Sequence, residues 1–487
     1  VIDFAALGEL VNRAVSWLQE HGIGRCARIA VLTPNDPLAM VAAIAVLHVG
    51  SVWIPINPRD SAIDIASNLD RARCDVLLYG DSVAALVTEV RRSTRTLRVV
   101  GRLPALVDRS PTVASRPSIA ANTDDLAAIF FTGGTTGRPK GVMFHHGNVM
   151  RLVEGYLDLS LRDGDVQLAS GPLTHVAGRQ CLAALAGGIP TVILPAFEPG
   201  SVLRAIERHR VTVTTMTPTM LYKLLDHPAV RESDISSLRR LGYGAAPIAL
   251  DRLKQALHLL GPVMQGGYGQ TESPMLIASL LPEEHFRDIT TRELADDARL
   301  MSVGRPTKYS DVRIIGEDGT ELHPGETGEI VVAGDYQMSG YLDDPATTAK
   351  ARWGRHVRTG DLGLLDAEGY LTIRGRRKDM IITGGFNVYA AEVESALAEH
   401  PGVAEAAVFG LPDELWGESV NAAVAPRAGE TIDADELRRW ARARLGGVKA
   451  PKRIVVLSDL PRNSNGKILK RQLVEQFTTG NPAEAAG

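Results

Sequence analysis

Aromatic side chains are scarce in this sequence: Phe, Trp and Tyr together make up 5% of its 487 residues. A protein that binds single-stranded nucleic acid by stacking bases has little to work with here. An excess of one charge is missing as well. Lys and Arg number 53 against 57 Asp and Glu, for a net charge of -4 at pH 7, which argues against a general nucleic-acid binder. Only three cysteines occur, Cys26, Cys74 and Cys181. They are widely spaced and none sits in a Cys-x-x-Cys, so reduced thiols in a cytosolic protein are expected. No apolar run is long enough to span a bilayer, no signal-peptide pattern opens the chain, and no repeat of 20–50 residues appears. The expected location is cytoplasmic. The chain begins at Val1 inside what already reads as structure, so a short N-terminal piece is expected to be missing.

What remains is ordinary globular material, 45% apolar and 23% charged. The length suggests roughly three domain-sized units at about 150 residues each. Leu7, Leu10, Val11, Ala14 and Leu18 recur at helical spacing, and Gly22 marks a stop. Short apolar strands then alternate with helical stretches: Ile29 to Thr33, which ends in Pro-Asn, then Val52 to Ile56, Val76 to Tyr79, Leu126 to Phe131, Val192 to Leu194 and Val211 to Met216. That alternation predicts βαβ units around buried, largely parallel sheets. Residues 80–125 carry no legible motif. After about residue 310, strands at Val312 to Ile315, Glu329 to Val332 and Tyr370 to Ile373 alternate with Asp-Gly, Pro-Gly and Glu-Gly turns, which predicts a small antiparallel unit. A compact α/β segment follows Arg377. It has a helix near Ala391 to His400, strands near Ala404 to Phe409 and Val420 to Ala425, and a capping box at Asp433-x-x-Glu436. The tail from Thr478 is expected to fray.

The segment with the clearest chemistry is Thr132-Gly133-Gly134-Thr135-Thr136-Gly137-Arg138-Pro139-Lys140-Gly141, directly after a strand. Glycines let backbone N–H groups approach an anion closely. The threonine hydroxyls add donors and Lys140 adds charge. A polar turn is the plain alternative, but so many glycines, threonines and a lysine together favour a phosphate cradle. A Walker loop needs Gly-Lys followed by Ser or Thr. Here Pro139 precedes Lys140 and Gly141 follows it, so that reading fails.

On these residues the chain resembles the adenylate-forming superfamily, which includes acyl-CoA synthetases, peptide-synthetase adenylation domains and luciferases. The usual signature has Ser where this chain has Gly133. Further motifs agree in the expected order. Gly244-Ala245-Ala246-Pro247 resembles the adenine-binding segment. In Tyr268-Gly269-Gln270-Thr271-Glu272 the resemblance implies that Tyr268 stacks on adenine, Thr271 contacts the α-phosphate and Glu272 holds Mg2+, as one carboxylate with phosphate oxygens can. Gly266 and Gly267 precede Tyr268, where relatives more often have one glycine, and an altered pocket wall is one reading. Asp361, in Thr359-Gly360-Asp361, matches the ribose ligand, and Arg376 the arginine that reaches ribose and phosphate. Lys378 matches the hinge. Lys467, in Pro461-Arg462-Asn463-Ser464-Asn465-Gly466-Lys467, matches the catalytic lysine, whose charge would stabilise the transition state of attack on phosphorus. Taken singly, each of these residues also fits a turn, a linker or a surface charge.

The resemblance implies an α/β protein. A large N-terminal domain of stacked α/β sheets plus a small β unit, 1–377, would bind ATP and the acid. A small mobile α+β domain, 378–487, would turn about Lys378. The implied activity is ATP-dependent ligation of a carboxylic acid to CoA through acyl-AMP. The alternatives are transfer to a carrier-protein thiol or to another nucleophile such as an amine, and a catalytically dead binding protein. ATP, Mg2+ and coenzyme A are the expected cofactors. Gly384 and Gly385 resemble the lining of a pantetheine tunnel, Trp416 matches a tryptophan near it, and Lys449 with Lys452 and Arg453 forms a basic cluster suited to CoA phosphates. On the acid side, His175 matches a position beside the acyl carboxylate, Thr217 and Thr219 are candidate pocket residues, and Arg179 either faces the pocket or points to the surface.

Overall fold

The computed structural model describes residues 1–108, 121–132, 139–427, 429–462 and 468–478. Helix Phe4–Glu20 begins where the Asp3 carboxylate accepts from the Ala6 N–H, buries Val11, Ala14, Val15 and Leu18, and gives way to Gly22 at φ +68°. Two seven-stranded sheets carry the bulk of the chain. In the first, Leu126–Thr132, Val52–Ile56, Arg28–Leu32, Val76–Tyr79 and Val99–Arg102 run parallel. Lys140–His145 and Gly340–Tyr341 close one edge antiparallel. Every residue of Val52–Ile56 is buried, as expected of a parallel strand covered on both faces. Pro55 is tolerated in this interior strand because the ladder towards Leu126–Thr132 is a single pair, Trp53 with Ala128.

The second sheet has the same plan. Thr191–Ile193, Gln167–Ala169, Val213–Met216, Arg240–Gly244 and Met264–Gln270 run parallel, with Ser273–Leu280 and Arg305–Pro306 antiparallel at the edge. Strand Val99–Arg102 and helix Ala84–Ser93 fall in the stretch without a legible motif. The strand is a short edge piece, and its Gly101 is needed because a Cβ there would come within 2.7 Å of the Trp17 ring. The two sheets are tied by Asn35, just beyond the first strand. Its Nδ2 donates to the carbonyls of Gly171 (2.8 Å) and Leu194 (3.0 Å), and its Oδ1 accepts from the Leu173 N–H at 2.9 Å.

The expected antiparallel unit is present as five strands: Asp311–Ile315, Gly328–Ala333, His356–Leu365, Arg352–Trp353 and Leu371–Arg376. A final five-stranded sheet is built from Phe386–Tyr389, Met380–Thr383, Gly417–Pro426, Val403–Asp413 and Arg453–Val456, with helices Ala390–Ala398, Ala434–Lys449 and Lys470–Thr478. The fold is thus a mixed α/β protein with a large N-terminal part and a smaller C-terminal one. Asp433 caps its helix by accepting from the Asp435 and Glu436 N–H groups, the forward half of the expected capping box. No helix among the described residues is long and apolar enough to cross a membrane.

One buried group gives this fold a measurable acid sensitivity. His285 is fully buried, with Nε2 2.9 Å from the Tyr243 hydroxyl and Nδ1 2.9 Å from the Leu281 carbonyl. These partners hold a neutral ring that donates from Nδ1, and burial pushes its pKa down to about 4. An unfolded histidine titrates near 6.5. Above that pH neither state binds the proton and the contribution is complete. Between about 6.5 and 4 only the unfolded chain binds it, so stability falls by about 3 kcal/mol across the window and levels off below. Urea unfolding at pH 7 and pH 5 is expected to show a drop that His285→Gln largely removes.

Candidate active site

The parallel strands of both sheets deliver the site at their C-terminal ends, where open α/β sheets place ligands. Thr132 ends Leu126–Thr132, and the chain returns antiparallel from Lys140, so these two residues share one rim. Gly133, Gly134, Thr135, Thr136 and Gly137 lie outside the described residues, as does Lys467. From the second sheet, Gln167–Ala169 leads through Ser170 to His175, Val213–Met216 leads to Thr217, Arg240–Gly244 to Ala245, and Met264–Gln270 to Thr271 and Glu272.

Lys140, Tyr341 and Glu272 meet at this rim. The Tyr341 hydroxyl donates to Glu272 Oε1 at 2.9 Å, and Lys140 Nζ lies 5.0 Å from the Tyr341 ring centroid. The Glu272 carbonyl accepts from the Met338 N–H at 2.9 Å, which fixes the turn. Burial and the Glu272 charge push the Tyr341 hydroxyl pKa up, so it donates at neutral pH. Glu272 keeps its second carboxylate oxygen for a cation. Among the described residues no group of three or more His, Cys, Asp or Glu converges on one point. A hard cation at Glu272 would draw its remaining ligands from phosphate and water, which suits Mg2+. Tyr341 was not singled out from the sequence. The available signal was a tyrosine after Gly340 in a chain with few aromatics.

A second cluster surrounds Asp361. The Tyr268 hydroxyl donates to Asp361 Oδ2 at 2.7 Å, and Arg376 Nε lies 3.4 Å from Oδ1. Asp361 pairs with Arg376 in register across the sheet. Its N–H is held by Thr359 Oγ1 at 3.1 Å, and Gly360 turns the chain at φ +70°. Burial and the neighbouring carboxylate raise the Tyr268 pKa.

The segment Gly244–Ala246 follows strand Arg240–Gly244, whose Gly244 pairs in register with Gly267. A Cβ at Gly244 would come within 2.3 Å of the Gly267 carbonyl, so only glycine fits. Ala245 is left-handed at φ 68°, a strained conformation for alanine that concentrates at functional sites. Ala245 and Ala246 are both exposed. Gly266 does not open the pocket wall, because the space for its side chain is filled by Leu280 and the Tyr243 hydroxyl, each 3.1 Å from a built Cβ. Gly267 is the exposed member of the pair.

On the acid side, His175 is half-buried and caps helix Val176–Ala186. Arg179, one turn further, is buried and does not point to the surface. Its guanidinium stacks on Phe130. Gln180 is buried too and donates to Thr215 Oγ1 at 3.0 Å. Thr217 and Thr219 are exposed, and Thr217 caps helix Pro218–Leu225 through the Met220 N–H.

Lys378 lies in the short turn Arg377–Asp379 that joins the last strand of the antiparallel unit to Met380–Thr383. Beyond it, Gly384 and Gly385, at φ +58° and +80°, form the tip of the hairpin with Phe386–Tyr389. The Trp416 indole lies against Gly384, where a Cβ would come within 2.6 Å of it. Lys452 Nζ lies 4.8 Å from the Trp416 ring centroid. Lys449 is instead paired with Glu392 at 2.5 Å, and Arg453 stacks on Phe477. Lys452, the member beside the tryptophan, is itself paired with Asp413 at 3.5 Å.

With this geometry in place, similarity to known proteins is informative. Residues 2–342 match the AMP-binding enzyme family and residues 392–467 match the AMP-binding enzyme C-terminal domain. The chain is 36% identical over 484 residues to a feruloyl-CoA synthase of Amycolatopsis sp., covering 98% of this chain and 94% of that protein. It is 34% identical over 493 residues to an indoleacetate–CoA ligase of Aromatoleum aromaticum, covering 98% and 94%. Among solved structures, the amide bond synthetase of Marinactinospora thermotolerans superposes with a TM-score of 0.87 at 32% identity, covering 97% of this chain and 94% of that one.

Proposed function

The chain belongs to the AMP-binding enzyme family, and from that premise we propose how its residues divide the two steps of acid–CoA ligation. The enzyme is an AMP-forming acid–thiol ligase that uses ATP, Mg2+ and CoA. A carboxylate oxygen attacks the α-phosphorus of ATP, pyrophosphate leaves, and acyl-AMP forms. The CoA thiol then attacks the acyl carbon and AMP leaves with the electron pair of the broken C–O bond.

In our reading Thr132, Lys140 and the loop between them take the β- and γ-phosphates, and Thr271 contacts the α-phosphate. Glu272, oriented by Tyr341, would hold Mg2+, whose charge would offset that of pyrophosphate. Gly244 to Ala246 and Tyr268 hold adenine, while Asp361 and Arg376 hold ribose. Lys467 stabilises the charge that develops at phosphorus. His175 walls the acyl carboxylate, with Thr217 further along the acid pocket. Residues 378–487 then turn about Lys378, exchanging Lys467 for the Gly384, Gly385 and Trp416 surface, so that one site serves two chemistries with water kept from the anhydride. The enzyme acts in the cytoplasm. The observation that carries this reading is the pair of clusters at the strand ends, Tyr341 on Glu272 beside Lys140 and Tyr268 on Asp361.

The acceptor is CoA rather than a carrier protein or an amine. What favours CoA is the Gly384 tip with the Trp416 indole packed on it and Lys452, paired with Asp413, beside that ring. The amide bond synthetase relative is the reason to test an amine acceptor. Pyrophosphate release should be measured over a panel of aromatic, fatty and dicarboxylic acids, with and without CoA. Acid-dependent release with CoA-dependent AMP and thioester formation is expected. Product only on a carrier protein or an amine would overturn the acceptor assignment.

Gly384→Val separates the two steps. The added side chain collides with the Trp416 indole on a left-handed backbone. Thioester formation is expected to fall on the order of tenfold or more, while pyrophosphate release stays within about twofold. Equal loss in both steps would place this surface outside the thiol channel.

A further inference from the structure

We infer that Arg179 reads a second anionic group on the acid substrate, so that the enzyme prefers acids with an anion distal to the activated carboxylate. The inference rests on the acid–CoA ligase reading above. Arg179 is 6% exposed. Its guanidinium carbon lies 3.8 Å from the Phe130 ring centroid and 5.6 Å from that of Phe144. Stacking occupies the face of the guanidinium and leaves its N–H edge to donate. Nε has no hydrogen-bond partner, and no carboxylate pairs with the side chain among the described residues. Ser170 and Thr174, on the loop that leads into the same helix, also carry buried hydroxyls without partners. Three orphaned polar groups thus lie on one short segment beside His175.

Native interiors leave few polar groups unpaired, and an uncompensated buried cation is among the costliest. Burial pushes the Arg179 pKa down to about 10, so the charge persists at neutral pH. Glu272 acts on Arg179 through its field alone. Phe130 lies two residues before Thr132, where the phosphate loop departs, so Arg179 sits beneath the reaction centre, walled by rings that exclude water. A ligand carboxylate there gains a forked, charge-assisted pair with a cation that has already been desolvated. The phosphates of ATP have a cradle of their own, which leaves the acid as the ligand for Arg179.

The test compares matched acids, adipate against hexanoate and terephthalate against para-toluate, as kcat/KM for pyrophosphate release. Wild type is expected to favour the dicarboxylate of at least one pair. Arg179→Leu should lose that preference by about a hundredfold, and Arg179→Lys should retain part of it. Arg179→Leu should also melt at a higher temperature than wild type without ligand, because an unpaired charge has been removed from the interior. An unchanged ratio between paired acids, or a preference of wild type for the monoacids, overturns the inference and leaves the ligase reading intact. A rise in KM for ATP with the acid ratio unchanged assigns Arg179 to phosphate and overturns it likewise. Release of no pyrophosphate with any acid overturns the ligase reading, and the inference with it.

Discussion

Lys467→Ala is expected to lower acid-dependent pyrophosphate release by about three orders of magnitude, on the order of 4 kcal/mol of transition-state stabilisation. When the carboxylate oxygen approaches the α-phosphorus, two anionic groups are forced together. A single ammonium between them offsets that repulsion only as the bond forms, so the loss falls on kcat rather than on KM. Lys467 lies outside the described residues, but its flanks are held: Arg462 and Ile468 form an antiparallel bridge, Arg462 pairs with Glu405, and Lys470 pairs with the half-buried Glu394 at 2.6 Å. Thioester formation from supplied acyl-AMP is expected to change by less than about threefold, because in the proposed mechanism the lysine has withdrawn by then. Adenylation at the wild-type rate in Lys467→Ala would refute this assignment.

The second large effect is expected at Asp361. Asn at this position keeps the shape and removes the charge. Tyr268 then loses its carboxylate acceptor at 2.7 Å, and Arg376 is left beside a neutral amide. In the proposed site, ribose would lose an ionised acceptor for its hydroxyls, and hydrogen bonds to charged groups are the stronger kind. Together these changes should lower kcat/KM for ATP about a hundredfold, mostly through KM for ATP. Tyr268→Phe, which removes only the hydroxyl, should cost about tenfold or less. An Asp361→Asn enzyme with normal KM for ATP and raised KM for the acid would move this carboxylate out of the nucleotide site.

The family and the acid-activating chemistry were legible in the order of the residues. The phosphate loop, the Tyr268 to Glu272 segment, Asp361 and Lys467 are local patterns, and a backbone anion cradle or a strand-end carboxylate has a signature within a few positions. The alternation of short apolar strands with helices fixed the α/β class for the same reason, since burial on both faces shows in each strand alone. The edge strand Val99–Arg102 was invisible because a short, half-exposed strand carries no periodic signal. Contacts between distant positions were likewise closed to sequence. Tyr341 reaches Glu272 across 69 residues and Tyr268 reaches Asp361 across 93, and nothing local marks such pairs. Tertiary structure alone also showed that Lys449 pairs with Glu392, and that Lys452, paired with Asp413, lies beside Trp416. It settled, finally, the one ambiguity the sequence posed most sharply. Arginine belongs to the surface by composition, and only the packing of helix Val176–Ala186 against Phe130 and Phe144 decided that Arg179 is buried, with no carboxylate paired to it among the described residues.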